Sequence, residues 1–230
     1  CIVIDKKEIR NGLEETGIPN PSSETMNNIT ISSELREQVQ QAREAYLQLA
    51  NLGTESKNQV LHAFAKALRA NTSKILEANA LDVVEAEKIF QSGELSESAC
   101  KRVMLNKAKI EQMAQNCESV AKLEDPVGRV LQATRLDEGL DLYRVSCPIG
   151  VVLVIFESRP DVVVQISALA VKSGNAVILK GGREAVHSNR VLAEILRQTA
   201  DDFEEMPINA LSLVESVSYT HLRAHETGYN

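Results

Sequence analysis

No pattern in this chain limits its fold more than the short aliphatic runs that recur between Gly150 and Val214, each separated from the next by a helix-length segment. The first run, Gly150-Val151-Val152-Leu153-Val154-Ile155-Phe156, is unbroken rather than alternating. A strand covered on both faces needs apolar side chains at every position, so this run reads as a central parallel strand. Asp161 can cap a helix through Val164, Ile166, Leu169 and Val171, and Gly174 ends it. Asn175 to Leu179 forms a second buried strand, Ala185 to about Thr199 a second helix, and Leu211 to Val214 a third strand. The order β-α-β-α-β with short joints is half of a doubly wound parallel sheet, which makes the class α/β.

The segment upstream repeats with a different period. From Glu34 to Leu52 the residues Leu35, Val39, Ala42, Tyr46 and Leu49 step by three or four, the mark of one buried helical face. Gly53 reads as its stop and Thr54 as the N-cap of a second helix carrying Val60, Leu61, Phe64 and Leu68. Asn71 and Thr72 restart the chain into a third helix, with Ile75, Leu76, Val83 and Val84, that runs to about Phe90 before Ser92 and Gly93. A fourth is expected from Ser98 to Val120 through Leu105, Ile110, Met113 and Cys117. Asp125-Pro126 closes this helical array over 34–120, and two strand-like runs around Asp137-Glu138-Gly139 predict a β-hairpin over 129–147. Residues 1–25 end in the turn-rich Gly17 to Ser23, so Met26 reads as the native start and 1–25 as an extension; a true N-terminal linker is the alternative. The expected domain is then 26–215, with its sheet over 150–214.

Composition removes several classes of function. Against 32 acidic side chains stand 25 basic ones, a net charge of −7, and the pI is about 5.3. Nucleic-acid binding, which selects clustered Lys and Arg, is disfavoured. With 43% apolar and 25% charged residues, no Trp and 3% aromatics, the chain is an ordinary globular one with an aliphatic core. The four cysteines, Cys1, Cys100, Cys117 and Cys147, form no CxxC pair, and a reducing compartment is expected. No apolar stretch approaches the roughly 20 residues that span a bilayer, so no membrane segment or signal peptide is expected and the location reads as cytoplasmic. His62 and His187 lack further ligands at metal spacing, and His221 with His225 lacks the Glu of an H-E-x-x-H site; no metal is expected.

In an open parallel sheet, ligands collect at the carboxyl ends of the strands. Two segments emerge there. Glu157-Ser158-Arg159-Pro160 follows the first strand, and its arginine fork suits a phosphate or carboxylate. The same residues also fit an Arg–Glu pair that merely holds the loop. Lys180-Gly181-Gly182-Arg183-Glu184 follows the second strand, pairing close backbone approach at two glycines with two cations near a helix start. It is neither a G-x-G-x-x-G fingerprint nor a Walker loop, and a plain tight turn is the competing reading. Cys147, with no histidine near it in sequence, reads as a small hydrophobe rather than a nucleophile.

The stretch PIGVVLVIFESRPDVVVQISALAVKSGNAVILKGGREAVHSN, Pro148 to Asn189, closely resembles the γ-glutamyl phosphate reductase family, also called glutamate-5-semialdehyde dehydrogenase, a branch of the aldehyde dehydrogenase superfamily. LEDPVGRV at Leu123 to Val130 and LDEGLDLYRV at Leu136 to Val145 support the likeness, which extends more weakly from about Glu34 to about Val214. The resemblance implies an aldehyde-dehydrogenase-like fold and NADPH-dependent reduction of L-glutamate 5-phosphate to L-glutamate 5-semialdehyde, with release of phosphate, in proline biosynthesis. It further implies a cysteine nucleophile and, on this chain, a cofactor site at Lys180, Gly181, Gly182, Arg183, Glu157 and Ser158. Arg183 falls where relatives that prefer NAD often carry an acid, so a cation there favours the 2′-phosphate of NADPH. Arg159 and Pro160 would line the reacting end, and the hairpin would match the superfamily's oligomerisation strands, hence a homo-oligomer.

Departures from the family are as informative. Its catalytic cysteine lies well downstream, in a second domain, and none of the four cysteines here takes that place, so the polypeptide is expected to be truncated before the catalytic domain and inactive alone. Ser218 to Asn230 fits neither the family nor the preceding rhythm, and 216–230 reads as a non-native tail. Two other readings stand beside a monofunctional reductase: the reductase portion of a bifunctional pyrroline-5-carboxylate synthase, and a non-catalytic nucleotide-binding or assembly module.

Overall fold

The computed structural model describes residues 33–214. The expected extension over 1–25, Met26, Cys1, the tail over 216–230, and His221 with His225 lie outside them. Compact units meet between Glu37 and Gln38, and of the first only the opening of helix α1 is described.

Among the described residues five helices precede the strands: α1 (Ser33–Leu49), α2 (Thr54–Ala70), α3 (Thr72–Gln91), α4 (Glu97–Val103) and α5 (Lys107–Ala121). On α2, Val60, Leu61, Phe64 and Leu68 are all buried, as their spacing requires. On α1 the buried stripe is Ala42, Ala45 and Leu49, while Val39 is exposed. The start of α2 differs from expectation. Gly53 occupies the N-cap with extended backbone, and the Thr54 hydroxyl, instead of capping, donates to Asp125 Oδ2 at 2.9 Å. The single helix expected over 98–120 is two, because Asn106 breaks it: its side chain accepts from Lys109 N and starts α5. Ser96 caps α4 in the same manner.

Strands β1 (Val130–Asp137) and β2 (Leu140–Val145) form the antiparallel hairpin, with Gly139 at φ +76° in its turn, and every residue of both strands is exposed. The parallel sheet follows as β3 (Val151–Ile155), helix α6 (Asp161–Lys172), β4 (Ala176–Lys180), a 3₁₀ turn (Arg183–Ala185), helix α7 (Val186–Asp201) and β5 (Leu211–Leu213). Among the described residues the strand order is β3-β4-β5, with β4, wholly buried, between its two neighbours. Among the described residues β3 bonds to β4 alone, and on one of its faces Leu153 is 57% and Ile155 44% exposed.

The opposite face of the sheet carries the core. Val154, Val177, Leu179, Leu211 and Leu213 belong to one cluster with Val163, Val164 and Val171 of α6, Leu192, Ile195 and Leu196 of α7, and Phe64 and Leu68 of α2. Helices α6 and α7 touch each other and the sheet, while α2 and α5 pack outside them. Buried Lys172 locks this stack, its Nζ donating to Asn58 Oδ1 at 2.7 Å and Ala121 O at 3.0 Å. Gly174 turns the chain from α6 into β4 at φ +68°, where its missing Cβ would also crowd Pro148.

Candidate functional site

The carboxyl ends of β3 and β4 are neighbours, since Ile155 pairs with Lys180 in a parallel ladder and Phe156 N donates to Lys180 O. Both singled-out loops therefore leave one sheet edge side by side. A buried carboxylate that the sequence reading did not single out joins them. Glu184 accepts from both the backbone N–H and the hydroxyl of Ser158, the latter at 3.0 Å. Ser158 is a non-glycine residue at φ +53°, a conformation that costs about 1–3 kcal/mol unless its surroundings hold it. The pair of bonds to Glu184 is what holds it.

The glycines answer a need within the chain itself. A Cβ on Gly182 would run into the Glu184 carboxylate, and one on Gly181 into the Asn189 side chain and the Phe156 ring. Space beside both is filled by this chain's own side chains. Asn189 is itself buried, and its Oδ1 has no hydrogen-bond partner.

Lys180 lies buried at the end of β4, its Nζ donating to Gly181 O at 2.8 Å. Burial pushes its ammonium below the ordinary lysine value, and the Glu184 charge works against that shift. Arg183 is exposed and forms an ion pair with Glu94, from the loop after α3. Arg159 is half exposed and paired with Asp161 at 2.9 Å, whose hydrogen bond raises the guanidinium's affinity for its proton. That carboxylate also accepts from Gln165; Asp161 is the first residue of α6 rather than its cap, and Pro160, buried, takes the cap position. Glu157 is exposed.

The helix start that follows the glycine loop is already occupied. Asp82 of α3, 1% exposed, accepts from His187 N at 3.0 Å and Ser188 N at 2.6 Å, placing a carboxylate on the donors that a phosphate would otherwise use. One turn earlier on α3, Asn79 donates to Val103 O and Ser188 Oγ and accepts from Leu105 N. Of the apolar positions expected on α3, Ile75 is buried and Val84 exposed, and Asn79 and Asp82 share the buried face with Ile75, Ala78 and Ala86. The α7 terminus is thereby closed to an anion, and the cations of the glycine loop are Lys180 and Arg183.

Of the described cysteines, Cys100 and Cys117 are buried and Cys147 is exposed. Burial pushes the Cys117 thiol up to about 12, the reverse of what a nucleophile needs. Among the described residues, no helix is long and apolar enough to cross a membrane.

This geometry has close counterparts. The chain is 45% identical over 186 residues to γ-glutamyl phosphate reductase of Methanococcoides burtonii, a match covering 81% of this chain and 41% of that protein. The crystal structure of γ-glutamyl phosphate reductase from Saccharomyces cerevisiae matches at 42% identity and a TM-score of 0.75, over 81% of this chain and 47% of that one. The Thermotoga maritima enzyme matches at 37% identity and a TM-score of 0.75, over 81% and 44%. The chain thus spans about two-fifths of the length of the curated relatives it matches. The aldehyde dehydrogenase family model matches residues 23–225, nearly the whole chain, and the chain belongs to that family.

Proposed function

We propose that this chain is the cofactor-binding part of a γ-glutamyl phosphate reductase, which reduces L-glutamate 5-phosphate to L-glutamate 5-semialdehyde, with release of phosphate, in proline biosynthesis. One observation carries this reading: the F-E-S-R-P and L-K-G-G-R-E segments leave adjacent strands and are tied together by the buried Ser158–Glu184 bonds. The donor set at that edge, an ammonium beside an exposed guanidinium, fits the adenosine end of a nicotinamide dinucleotide, and the guanidinium fits a 2′-phosphate. NADPH, when bound, supplies the hydride. Lys180 and Arg183 bind and orient it, with Gly181 and Gly182 shaping the loop between them. Glu157 and Ser158 line the path toward the reacting end. There Arg159, with Pro160 behind it, presents a cation half neutralised by Asp161 to the anionic substrate.

Cys117 does not supply the thiolate that displaces phosphate, since burial makes it hold its proton too firmly. The hairpin β1–β2, exposed along its length and presenting Leu131, Leu136, Leu140, Leu142 and Tyr143 among its polar residues, is the surface through which copies associate into a homo-oligomer. The setting is the cytoplasm.

Calorimetric titration of the monodisperse chain with NADPH and NADH tests this reading. Saturable NADPH binding, weakened about tenfold or more by Lys180→Ala or Arg183→Glu, is expected. Binding that ignores both substitutions would remove the glycine loop from the cofactor site.

A further inference from the structure

We propose that Glu94 sets the preference between phosphorylated and unphosphorylated dinucleotides, by competing with the 2′-phosphate for Arg183. The inference rests on the reading of Arg183 as the group that meets that phosphate.

The Glu94–Arg183 pair bridges 89 residues of sequence and is exposed on both sides, at 57% and 68%. An exposed pair is ordinarily a loose one. Here both partners ride on a buried seat. Leu95, next to Glu94, packs in one cluster with Ala185, at the end of the turn that carries Arg183, together with Ala86, Cys100 and Val103. Glu94 is also fixed from its own side. Gly93, at φ +79°, closes the end of α3, Glu94 N donates back to Ile89 O at 3.2 Å, and Ser92 Oγ donates to Glu94 Oε1 at 3.3 Å. The second carboxylate oxygen, Oε2, is the one that meets Arg183.

A guanidinium engaged by a carboxylate can still receive a phosphate, but only by giving up or sharing that partner, and the two anions then repel across it. A cofactor with a free 2′-hydroxyl leaves the pair intact. Glu94 therefore weakens NADPH and leaves NADH untouched, which narrows the preference that Arg183 creates.

The experiment measures dissociation constants for NADPH and NADH by calorimetry, in the whole chain and at low salt, for the unaltered chain and for Glu94→Gln, Glu94→Ala, Arg183→Gln and the Glu94→Gln/Arg183→Gln double variant. Glu97→Gln, which breaks the exposed Lys101 pair on α4, controls for the loss of one negative charge. Thermal melts verify folding of each. Glu94→Gln and Glu94→Ala are expected to tighten NADPH about three- to tenfold with NADH changed less than twofold, and the gain is expected to vanish in the Arg183→Gln background. The Glu97→Gln control should match the unaltered chain. Unchanged or weakened NADPH binding in Glu94→Gln, with Arg183→Gln still weakening it, overturns the inference and leaves the reading of Arg183 standing. Equal tightening by Glu97→Gln also overturns it. NADPH binding that is absent, or indifferent to Arg183→Gln, overturns that reading and the inference with it.

Discussion

Glu184 does more for the site's geometry than the cations beside it. Its carboxylate is the partner of the Ser158 backbone N–H in a loop whose φ of +53° glycine alone adopts without cost. Glu184→Ala leaves that buried donor unpaired and is expected to cost about 1–3 kcal/mol, read as a lower urea or thermal midpoint. Glu184→Gln keeps an acceptor and should lose less. Gly182→Ala places a methyl where the same carboxylate lies, so it should lower the midpoint even though the Gly182 φ of −74° suits alanine.

Helix boundaries in the array follow local caps. Asn106→Ala removes the acceptor for Lys109 N at the start of α5 and should cost about 1 kcal/mol, measurable in a chemical melt because Asn106 is exposed and packs against no core. Asp82→Ala acts on α7 in the same way, but from another helix. It strips two N-terminal donors of their acceptor, about 1–2 kcal/mol, and with it part of the α3–α7 joint. The hairpin tests association. Sedimentation should give a mass above the 25.3 kDa of one chain, and Leu140→Asp with Leu142→Asp, both exposed on β2, should reduce it to that value.

At the scale of the whole molecule, an ion pair ties the helical array to the segment leading into the hairpin. Lys57 of α2 is 1% exposed and meets Asp125 at 2.9 Å. Burial pushes the Asp125 carboxyl upward, but the Val127 N–H, Lys57 and Thr54 together hold it below the ordinary aspartate value. A carboxyl whose folded value lies below its unfolded one, about 3.9, contributes stability that is fully present above that pH and lost as pH falls through the folded value. Acid unfolding of the unaltered chain should therefore steepen below about pH 4. Asp125→Asn leaves the Lys57 ammonium buried without its counter-charge, should cost about 3–5 kcal/mol at neutral pH, and should flatten that acid limb. Lys57→Met, which removes the charge instead of stranding it, should cost less.

Periodicity and punctuation are local properties, and the sequence alone settled what depends on them: the helical array, the hairpin around Gly139, the β-α-β-α-β order, and the placing of both candidate loops at strand ends. Strand order is not local. β4 pairs with β3 on one side and with β5 on the other, a choice made by where α6 and α7 pack and not by the composition of any one run. Buried polar partners are equally invisible to periodicity, since Asp82 meets Ser188 across 106 residues and Glu184 meets Ser158 across 26. An acidic residue on a helix face reads as solvated until another helix start covers it. Only the folded chain brings such donors and acceptors within bonding distance, where desolvation makes each missing partner costly.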